Sequence, residues 1–252
     1  MTVPPSSSSG PSWTTSAPAV ATGRHRPAFD PRQVPWVHGH STPPALDPAR
    51  LTVQALQQRF ACPAPWQPQA QAAAPVATHI LSEAAVLIAL LRPEPLTVLL
   101  TERSALLTHH SGQVAFPGGR VDPEDRDAVA TALREAQEEV GLPPHQVQIL
   151  GQLPSLLTSS AFRVTPVVAL VDPNPLLQAN PHEVAETFAV PLSFLMDPQQ
   201  HRWHRHEWEQ QGQRQSQEWL SMPYWDSEAG RERFIWGATA AMLRNLYHLL
   251  AA

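Results

Sequence analysis

Three glutamates within five residues are the part of the sequence best suited to chemistry. Glu135, Glu138 and Glu139 stand at positions i, i+3 and i+4, so in a helix their carboxylates share one face. Like charges at this spacing repel one another unless a cation lies between them. Magnesium and manganese prefer carboxylate oxygens and usually keep waters and phosphates as further ligands. The spacing predicts a divalent-cation site. The alternative is a solvated helix face in which Arg134 pairs with Glu138.

Glycines on both sides of this segment favour the cation site. Gly118-Gly119 comes before the helix, and Gly141 stands where a glycine commonly ends one. A glycine pair lets a phosphate approach the backbone closely because no Cβ interferes. Alanines at four positions between 128 and 136 allow close packing of the opposite helix face. The diglycine is expected to form a loop, and Asp122 or Asp125 is expected to cap the helix.

The segment from Gly118 to Leu142 resembles the Nudix box, the motif of hydrolases that act on nucleoside diphosphates linked to another group. Residues 134–142 match the second half of the box without a gap, as Arg-Glu-(apolar)-x-Glu-Glu-x-Gly-(apolar). The first half has one residue more than the general pattern, and Glu124 or Asp125 stands where its glutamate belongs. The resemblance implies an α/β fold, a Nudix-type α/β/α sandwich with a mixed, partly antiparallel sheet between helices.

The residues just upstream are similar to the motif of the coenzyme A diphosphatases, a Nudix subfamily. The matching residues are Leu99, Leu100, Thr101, Arg103, Ser104, Leu107, His110, Gly112, Val114 and Phe116–Gly119. The extra residue after the diglycine is usual in that subfamily. Thr108 departs from the motif, which has arginine at this position. The resemblance covers roughly residues 76–250.

The resemblance implies hydrolysis of the diphosphate bond of coenzyme A or acyl-CoA, which gives 4′-phosphopantetheine and adenosine 3′,5′-bisphosphate. The cofactor would be Mg²⁺ or Mn²⁺, and the partner a small-molecule substrate. The implied metal ligands are Glu135, Glu138 and Glu139, with Glu138 also the general base and Arg134 holding the glutamates in register. The implied substrate-binding residues are Arg103, His110, Gly118 and Gly119. Many Nudix enzymes bring a later glutamate to the metal; Glu183 is the candidate here, and a solvated turn is its alternative.

Two other functions compete with this one. A Nudix enzyme that cleaves ADP-ribose or a dinucleotide such as NADH would keep the same helix and change the pocket. Residues 99–119 argue against that function, and Thr108 argues for it. A Nudix-like ligand sensor without turnover is the second alternative. Such sensors often lose glutamates, whereas this chain keeps all three.

A histidine cluster is the rival metal site. In a strand, alternation puts His204 and His206 on one face and His201 on the other. No cysteine or His-Glu-x-x-His helix accompanies them, so an exposed edge strand is favoured over a zinc site. The edge hairpin is expected over residues 202–208 and 218–224.

The remaining elements follow from apolar patterning. Residues 84–91 and 96–101 predict a strand hairpin, and further strands are expected at 114–116, 147–157, 163–171 and 184–188. An amphipathic helix is expected over residues 236–250.

Composition separates the N-terminal region from the rest. Fourteen of the 28 prolines lie before residue 76, which predicts a largely flexible region over 1–75 with a short helix near 49–61, and a hydrolase domain over 76–252.

The single Cys62 is expected to pack in the interior. A net charge of −5 argues against a nucleic-acid partner. The longest apolar run is too short to cross a bilayer, so no membrane partner is expected. A cytoplasmic location and a homodimer are further expectations.

Overall fold

The computed structural model describes residues 30–37, 43–69, 81–106, 112–173, 175–210 and 212–252. The chain divides into two compact units, Met1–Pro31 and Arg32–Ala252. The second unit contains every helix and strand of the described residues. The strands, numbered β1 to β12 in chain order, are Trp36–Val37, Ser82–Leu91, Thr97–Arg103, Val114–Ala115, Gly118–Arg120, Val147–Gln152, Leu156–Leu157, Phe162–Val171, Val184–Pro191, Arg202–Gln210, Gln213–Asp226 and Arg231–Trp236. The helices α1 to α4 are Val53–Ala61, Ala128–Val140, Leu192–Leu195 and Gly237–Ala251.

Eight strands form the main sheet, and its pairing is mixed. β2 runs parallel to β8 and antiparallel to β3 and β5. The strand order is β4-β3-β2-β8-β6, while β9 pairs with β3 and β7 with β8. The predicted hairpin of residues 84–101 is therefore confirmed as β2 and β3, within a mixed and mainly antiparallel sheet.

The two faces of this sheet carry two separate apolar clusters. Alternation along β2 sends Ala85 and Leu87 to one face and Ile88 and Leu90 to the other. The first face packs on α2, and the second packs on α1 and α4. These layers confirm the α/β/α sandwich. None of the helices among the described residues combines the length and apolarity needed to span a bilayer.

The short helix near 49–61 is confirmed as α1, and it packs on the main sheet layer. Thr52 caps it by accepting a hydrogen bond from the Ala55 N–H at 3.2 Å. Leu56 is completely buried, and Arg59 donates to the Leu249 carbonyl of α4 at 2.6 Å. Cys62 is exposed, so the expectation that it packs in the interior is wrong. The boundary at residue 75 lies outside the described residues and stays a prediction.

A second sheet, with strand order β1-β10-β11-β12, is wholly antiparallel. It contains the predicted hairpin. His201, just before β10, and His204, within β10, are buried, although an exposed edge strand was expected. His201 accepts a hydrogen bond from Arg244 at 2.8 Å and its other ring nitrogen faces the Leu195 carbonyl. His204 stacks on Trp219. The expectation of an exposed edge is wrong for His201 and His204 because β1, α4 and aromatic side chains cover them. Burial lowers the pKa of His201 to about 4.

The helix expected over residues 236–250 is confirmed as α4, but it is buried on nearly all sides, so its expected amphipathic character is wrong. The segment before β2 covers the face that would otherwise meet solvent. Gln69 accepts from Arg244 at 3.2 Å and donates its N–H to Asn245 at 2.9 Å. Tyr247 donates to the Pro44 carbonyl at 2.5 Å. Polar side chains on this face therefore bond to protein instead of water.

Candidate active site

α2 presents three rows of side chains to three different surroundings, because each residue turns 100° about the helix axis. Ala136 lies in the row that packs on the main sheet and is completely buried. Glu135 and Glu139 lie in the next row, along β5. Arg134 and Glu138 lie one row further out, and the Glu138 side chain is 54% exposed. The three glutamates therefore share one side of the helix but not one environment.

The helix ends lie where the sequence indicated, but the cap is a different aspartate. The Asp127 carboxylate caps the helix by accepting a hydrogen bond from the Ala130 backbone N–H at 2.8 Å. The expectation of Asp122 or Asp125 as the cap is wrong, because the Asp125 carboxylate instead binds Arg134 at 2.9 Å. Gly141 ends the helix in the left-handed conformation, with φ of 69°, as expected for a C-terminal glycine.

Arg134 links the helix carboxylates to the neighbouring strand. Its Nη1 donates to Glu135 at 2.9 Å and to Glu138 at 3.1 Å. Its Nη2 donates to the Arg120 carbonyl at the end of β5 at 3.0 Å. Two further hydrogen bonds, from Arg134 to the Asp125 carboxylate at 3.2 Å and 2.9 Å, hold the pKa of Asp125 well below its usual range. The pairing of Arg134 with Glu138 is confirmed, and it occurs together with bonds that fix Glu135.

Asp125 is a site residue that the sequence did not single out. Glu124 and Asp125 were equal alternatives for the acidic position before the helix. The structure places Asp125 on Arg134, with its side chain 7% exposed, while Glu124 is exposed. Nothing local in the sequence distinguishes the two, because only the position of the Arg134 side chain decides which one it contacts.

The diglycine is a strand and not the expected loop. Gly118 and Gly119 pair with Val86 and Ala85 of β2. The Gly118 N–H donates to Glu139 at 3.0 Å. A Cβ added at Gly119 would lie 2.5 Å from the carboxylate atoms of Glu135. The extended backbone thus satisfies the sheet and still meets both carboxylates at close range.

Glu139 is the most buried carboxylate of the site, with 3% exposure. Burial raises its pKa to about 7, although the Gly118 N–H and the Arg103 guanidinium oppose that rise. Arg103 Nη1 lies 3.7 Å from the Glu139 carboxylate. Burial also raises the pKa of Glu135 against the hydrogen bond from Arg134. Both carboxylates are therefore costly to hold charged without a cation.

This donor set fits a hard divalent cation with few protein ligands. Among the described residues, no three histidine, cysteine, aspartate or glutamate side chains are grouped closely enough to enclose a metal ion. Magnesium commonly uses one or two carboxylates together with waters and substrate phosphates. Glu135 and Glu139 along β5 provide such a pair. A ligand role for Glu138, whose carboxylate contacts Arg134, stays a prediction.

Glu183 lies close enough to the carboxylate pair for its charge to raise the pKa of both Glu135 and Glu139. Asn180 holds it there, donating its side-chain amide to the Glu183 carboxylate at 3.2 Å. The Asn180 backbone N–H in turn donates to the Glu139 carbonyl at the end of α2 at 2.8 Å. A metal-binding role for Glu183 stays a prediction. His110 and Thr108 lie outside the described residues.

We expect Gly119→Ala to weaken metal binding and leave the fold intact. The added Cβ would overlap the Glu135 carboxylate at 2.5 Å, and this carboxylate is the end of a flexible side chain that can move away. If Glu135 is one of two carboxylate ligands, as predicted, its movement should raise the Kd for Mn²⁺ by about tenfold or more, equivalent to 1.4 kcal/mol. Titration of the EDTA-stripped protein with Mn²⁺, followed by electron paramagnetic resonance, measures this.

Two other glycines supply the controls for this change. Gly230→Ala places a Cβ on a turn glycine whose φ of 63° strains alanine, but nothing lies within 4 Å of it, so stability should fall while Mn²⁺ affinity does not change. Gly118→Ala should instead impair folding, because its Cβ would lie 2.4 Å from the Ala85 carbonyl oxygen of β2. Unchanged Mn²⁺ affinity in Gly119→Ala would place the metal away from Glu135.

Comparison with known proteins bears on the family of this chain. A model of the NUDIX domain matches residues 81–216. The chain is 44% identical over 164 residues to an uncharacterized Nudix hydrolase NudL of Photorhabdus laumondii, covering 65% of this chain and 82% of that protein. It is 46% identical over 167 residues to the NudL of Yersinia enterocolitica, covering 65% and 78%. An Ap4A hydrolase structure from C. elegans aligns with a TM-score of 0.38 and 22% identity, over 43% of this chain and 80% of that one. With a family match over more than half of its length and relatives of this similarity, the chain belongs to the Nudix hydrolase family.

Proposed function

We propose that this Nudix hydrolase cleaves the diphosphate bond of coenzyme A or its thioesters, giving 4′-phosphopantetheine and adenosine 3′,5′-bisphosphate. One observation carries the proposal. Arg103 belongs to the segment that is similar to the coenzyme A diphosphatase motif, and its guanidinium lies 3.7 Å from Glu139. Arginine binds phosphate oxygens through two parallel hydrogen bonds. A diphosphate held by Arg103 would thus lie beside the carboxylate pair.

In this proposal, different glutamates bind the metal and transfer the proton. Glu135 and Glu139 would hold Mg²⁺ or Mn²⁺. When bound, such a cation lowers the pKa of a water and neutralises charge on phosphoryl oxygens. Glu138 is the carboxylate exposed to solvent, with 54% of its side chain accessible, so it can accept a proton and release it to bulk water. Arg134 holds Glu138 by a hydrogen bond of 3.1 Å.

The strand beneath the carboxylates lets them lie against the backbone. Gly119 has no Cβ, which would lie 2.5 Å from the Glu135 carboxylate, so a metal held by that carboxylate, and the diphosphate bound to it, would lie beside β5. Gly118 already uses its N–H to orient Glu139 at 3.0 Å. His110, the remaining substrate-binding candidate, would donate to a phosphate oxygen from the segment between β3 and β4.

The proposal is tested by offering coenzyme A, ADP-ribose and NADH side by side. With Mg²⁺ present, the purified full chain should release adenosine 3′,5′-bisphosphate from coenzyme A, as detected by chromatography, and EDTA should stop the reaction. Faster cleavage of ADP-ribose or NADH would overturn the assignment of coenzyme A as the substrate, but the chain would still act as a Nudix hydrolase. No turnover of any of the three would favour the ligand sensor. Glu139→Gln, purified in parallel, controls for a contaminating hydrolase.

A further inference from the structure

An ion cluster around one buried arginine lies outside the carboxylate site, where the second sheet meets the main sheet. We call it the Arg233 cluster; at its centre the Arg233 side chain is 1% exposed. The guanidinium donates to Glu102 at 3.0 Å, Glu186 at 2.8 Å and Asp226 at 2.9 Å. Arg231 adds bonds to Glu102 at 3.1 Å and to Glu186 at 2.6 Å. Three carboxylates and two arginines thus form one connected network.

The cluster joins four strands of two different sheets. Arg233 and Arg231 belong to β12 and Asp226 to β11, whereas Glu102 belongs to β3 and Glu186 to β9. The Arg233 guanidinium also lies over the Phe188 ring of β9, 4.3 Å from its centroid. Arginine in such a stacked and multiply bonded position has little freedom to shift. The edge of the main sheet at β3 and β9 is therefore held by the second sheet.

Glu102 connects this cluster to the carboxylate site, because the next residue is Arg103. Successive residues of a strand point to opposite faces. Glu102 accordingly faces Arg233, and Arg103 faces α2, where it lies 3.7 Å from Glu139. The register of β3 against β9 shifts between Glu102 and Arg103, and such irregularities re-aim side chains. Fixing Glu102 on one face therefore sets the position of Arg103 on the other.

The strand end is secured on the Glu183 side as well. Beyond the register shift, the Ser104 N–H donates to the Glu183 carbonyl at 2.9 Å, and the Ser104 hydroxyl donates to the Pro181 carbonyl at 3.2 Å. Arg233 and Arg231 hold the pKa of Glu186 down to about 2. Glu186 consequently stays charged over the pH range in which the protein would work.

We propose that Glu102 and Arg233 are positioning residues for diphosphate recognition, holding β3 so that Arg103 lies beside Glu139. The proposal rests on the proposed function, since it assumes that Arg103 binds the diphosphate of the substrate. A cluster that merely joined the two sheets would contribute to stability without changing what Arg103 does. The two roles predict different results when Glu102 and Arg103 are changed together.

A double-mutant cycle of Glu102→Gln and Arg103→Gln separates these roles. Glu102→Gln leaves Arg233 bonded to Glu186 and Asp226, so we expect it to fold. It should raise KM about three- to tenfold with kcat within about twofold, the pattern of lost binding that is equal in ground state and transition state. Arg103→Gln should raise KM further. The double variant should match Arg103→Gln alone, because Glu102 acts through Arg103.

The substrate for the cycle is whichever of coenzyme A, ADP-ribose and NADH the wild-type chain hydrolyses. A wrong substrate assignment therefore does not decide this test. Calorimetric titration with ADP in the presence of Mg²⁺ provides a second arm that needs no turnover, and the same non-additivity is expected in its Kd. Independent effects of the two substitutions, in KM or in Kd, would overturn the proposal. So would a Glu102→Gln variant that changes only the melting temperature.

Two further variants sharpen the test. Glu207→Gln is the matched control: Glu207 also pairs with two arginines, Arg205 at 3.1 Å and Arg214, in the second sheet away from β3. It should leave KM unchanged. Arg233→Lys keeps a charge but loses the forked geometry, so it should raise KM about as much as Glu102→Gln. A larger KM effect of Glu207→Gln than of Glu102→Gln would contradict a specific connection to Arg103.

Discussion

Glu139→Gln should lower the rate of diphosphate hydrolysis by about 10³-fold or more, which corresponds to roughly 4 kcal/mol of transition-state stabilisation. Glu139 is the more buried member of the carboxylate pair that faces β5. An amide in its place cannot supply the negative charge that a divalent cation requires. The amide oxygen can still accept the Gly118 N–H, which now donates at 3.0 Å, so the loss should reflect chemistry and not misfolding.

The same substitution should stabilise the metal-free protein at alkaline pH. In the folded chain the pKa of Glu139 is about 7, against an ordinary value of 4.5. Between these values the folded chain holds a proton that the unfolded chain has released, so the free energy of unfolding falls as the pH rises. Above pH 7 the cost is complete, and it is roughly 3 kcal/mol at most. Glutamine has no such cost because it does not ionise.

Thermal denaturation in EDTA between pH 4.5 and pH 8.5 measures this difference. The melting temperatures of wild type and Glu139→Gln should agree near the lower limit and separate above pH 7, with the variant higher. Added Mn²⁺ should raise the melting temperature of the wild type only. A variant that is less stable than wild type at pH 8 would show that the Arg103 ion pair at 3.7 Å outweighs the burial of the charge. Retained hydrolysis would remove Glu139 from the metal site.

Local patterns were enough to predict the helix of this site and two of the strands around it. The spacing of the glutamates and the terminal Gly141 predicted α2 and its end, and apolar runs predicted β2 and β3. The cap could not be predicted, because Asp122, Asp125 and Asp127 lie within six residues and each is a good capping residue. The choice depends on Arg134, whose bonds to Asp125 leave Asp127 to cap.

Long-range contacts decided what the patterns could not. His201 and His204 fall on opposite faces of the predicted strand, a pattern that gives no sign of burial. They are buried because β1 and α4 pack against them. The strand formed by the diglycine depends on β2, more than thirty residues earlier in the chain. The Arg233 cluster is the extreme case, since Arg233 and Glu102 are separated by 131 positions. Arg233 lies outside the matched motifs and Glu102 occupies a position that the motif leaves unspecified, so no pattern near either residue predicts their contact.

Glu138→Gln should lower kcat by about 10²- to 10⁴-fold, the range that a positioned general base contributes. Glutamine keeps the shape of the side chain and an oxygen that can accept from Arg134, which now donates at 3.1 Å. Arg134 should consequently stay bonded to Glu135 and Asp125. The substitution removes the ability to take a proton and disturbs little else.

Mn²⁺ affinity distinguishes a base at Glu138 from a metal ligand there. If Glu138 is the base, its substitution should lower kcat. The Kd for Mn²⁺ should stay within about threefold, because the carboxylates along β5 are intact. A rise of tenfold or more in that Kd would instead assign Glu138 to the metal and place the base elsewhere.

The matched control is Glu218→Gln, because the Glu218 side chain is 51% exposed and pairs with Arg205 at 3.8 Å. It should change neither quantity. A Glu138→Gln variant with wild-type kcat would exclude both roles, since a carboxylate that performs either one cannot be replaced by an amide without loss.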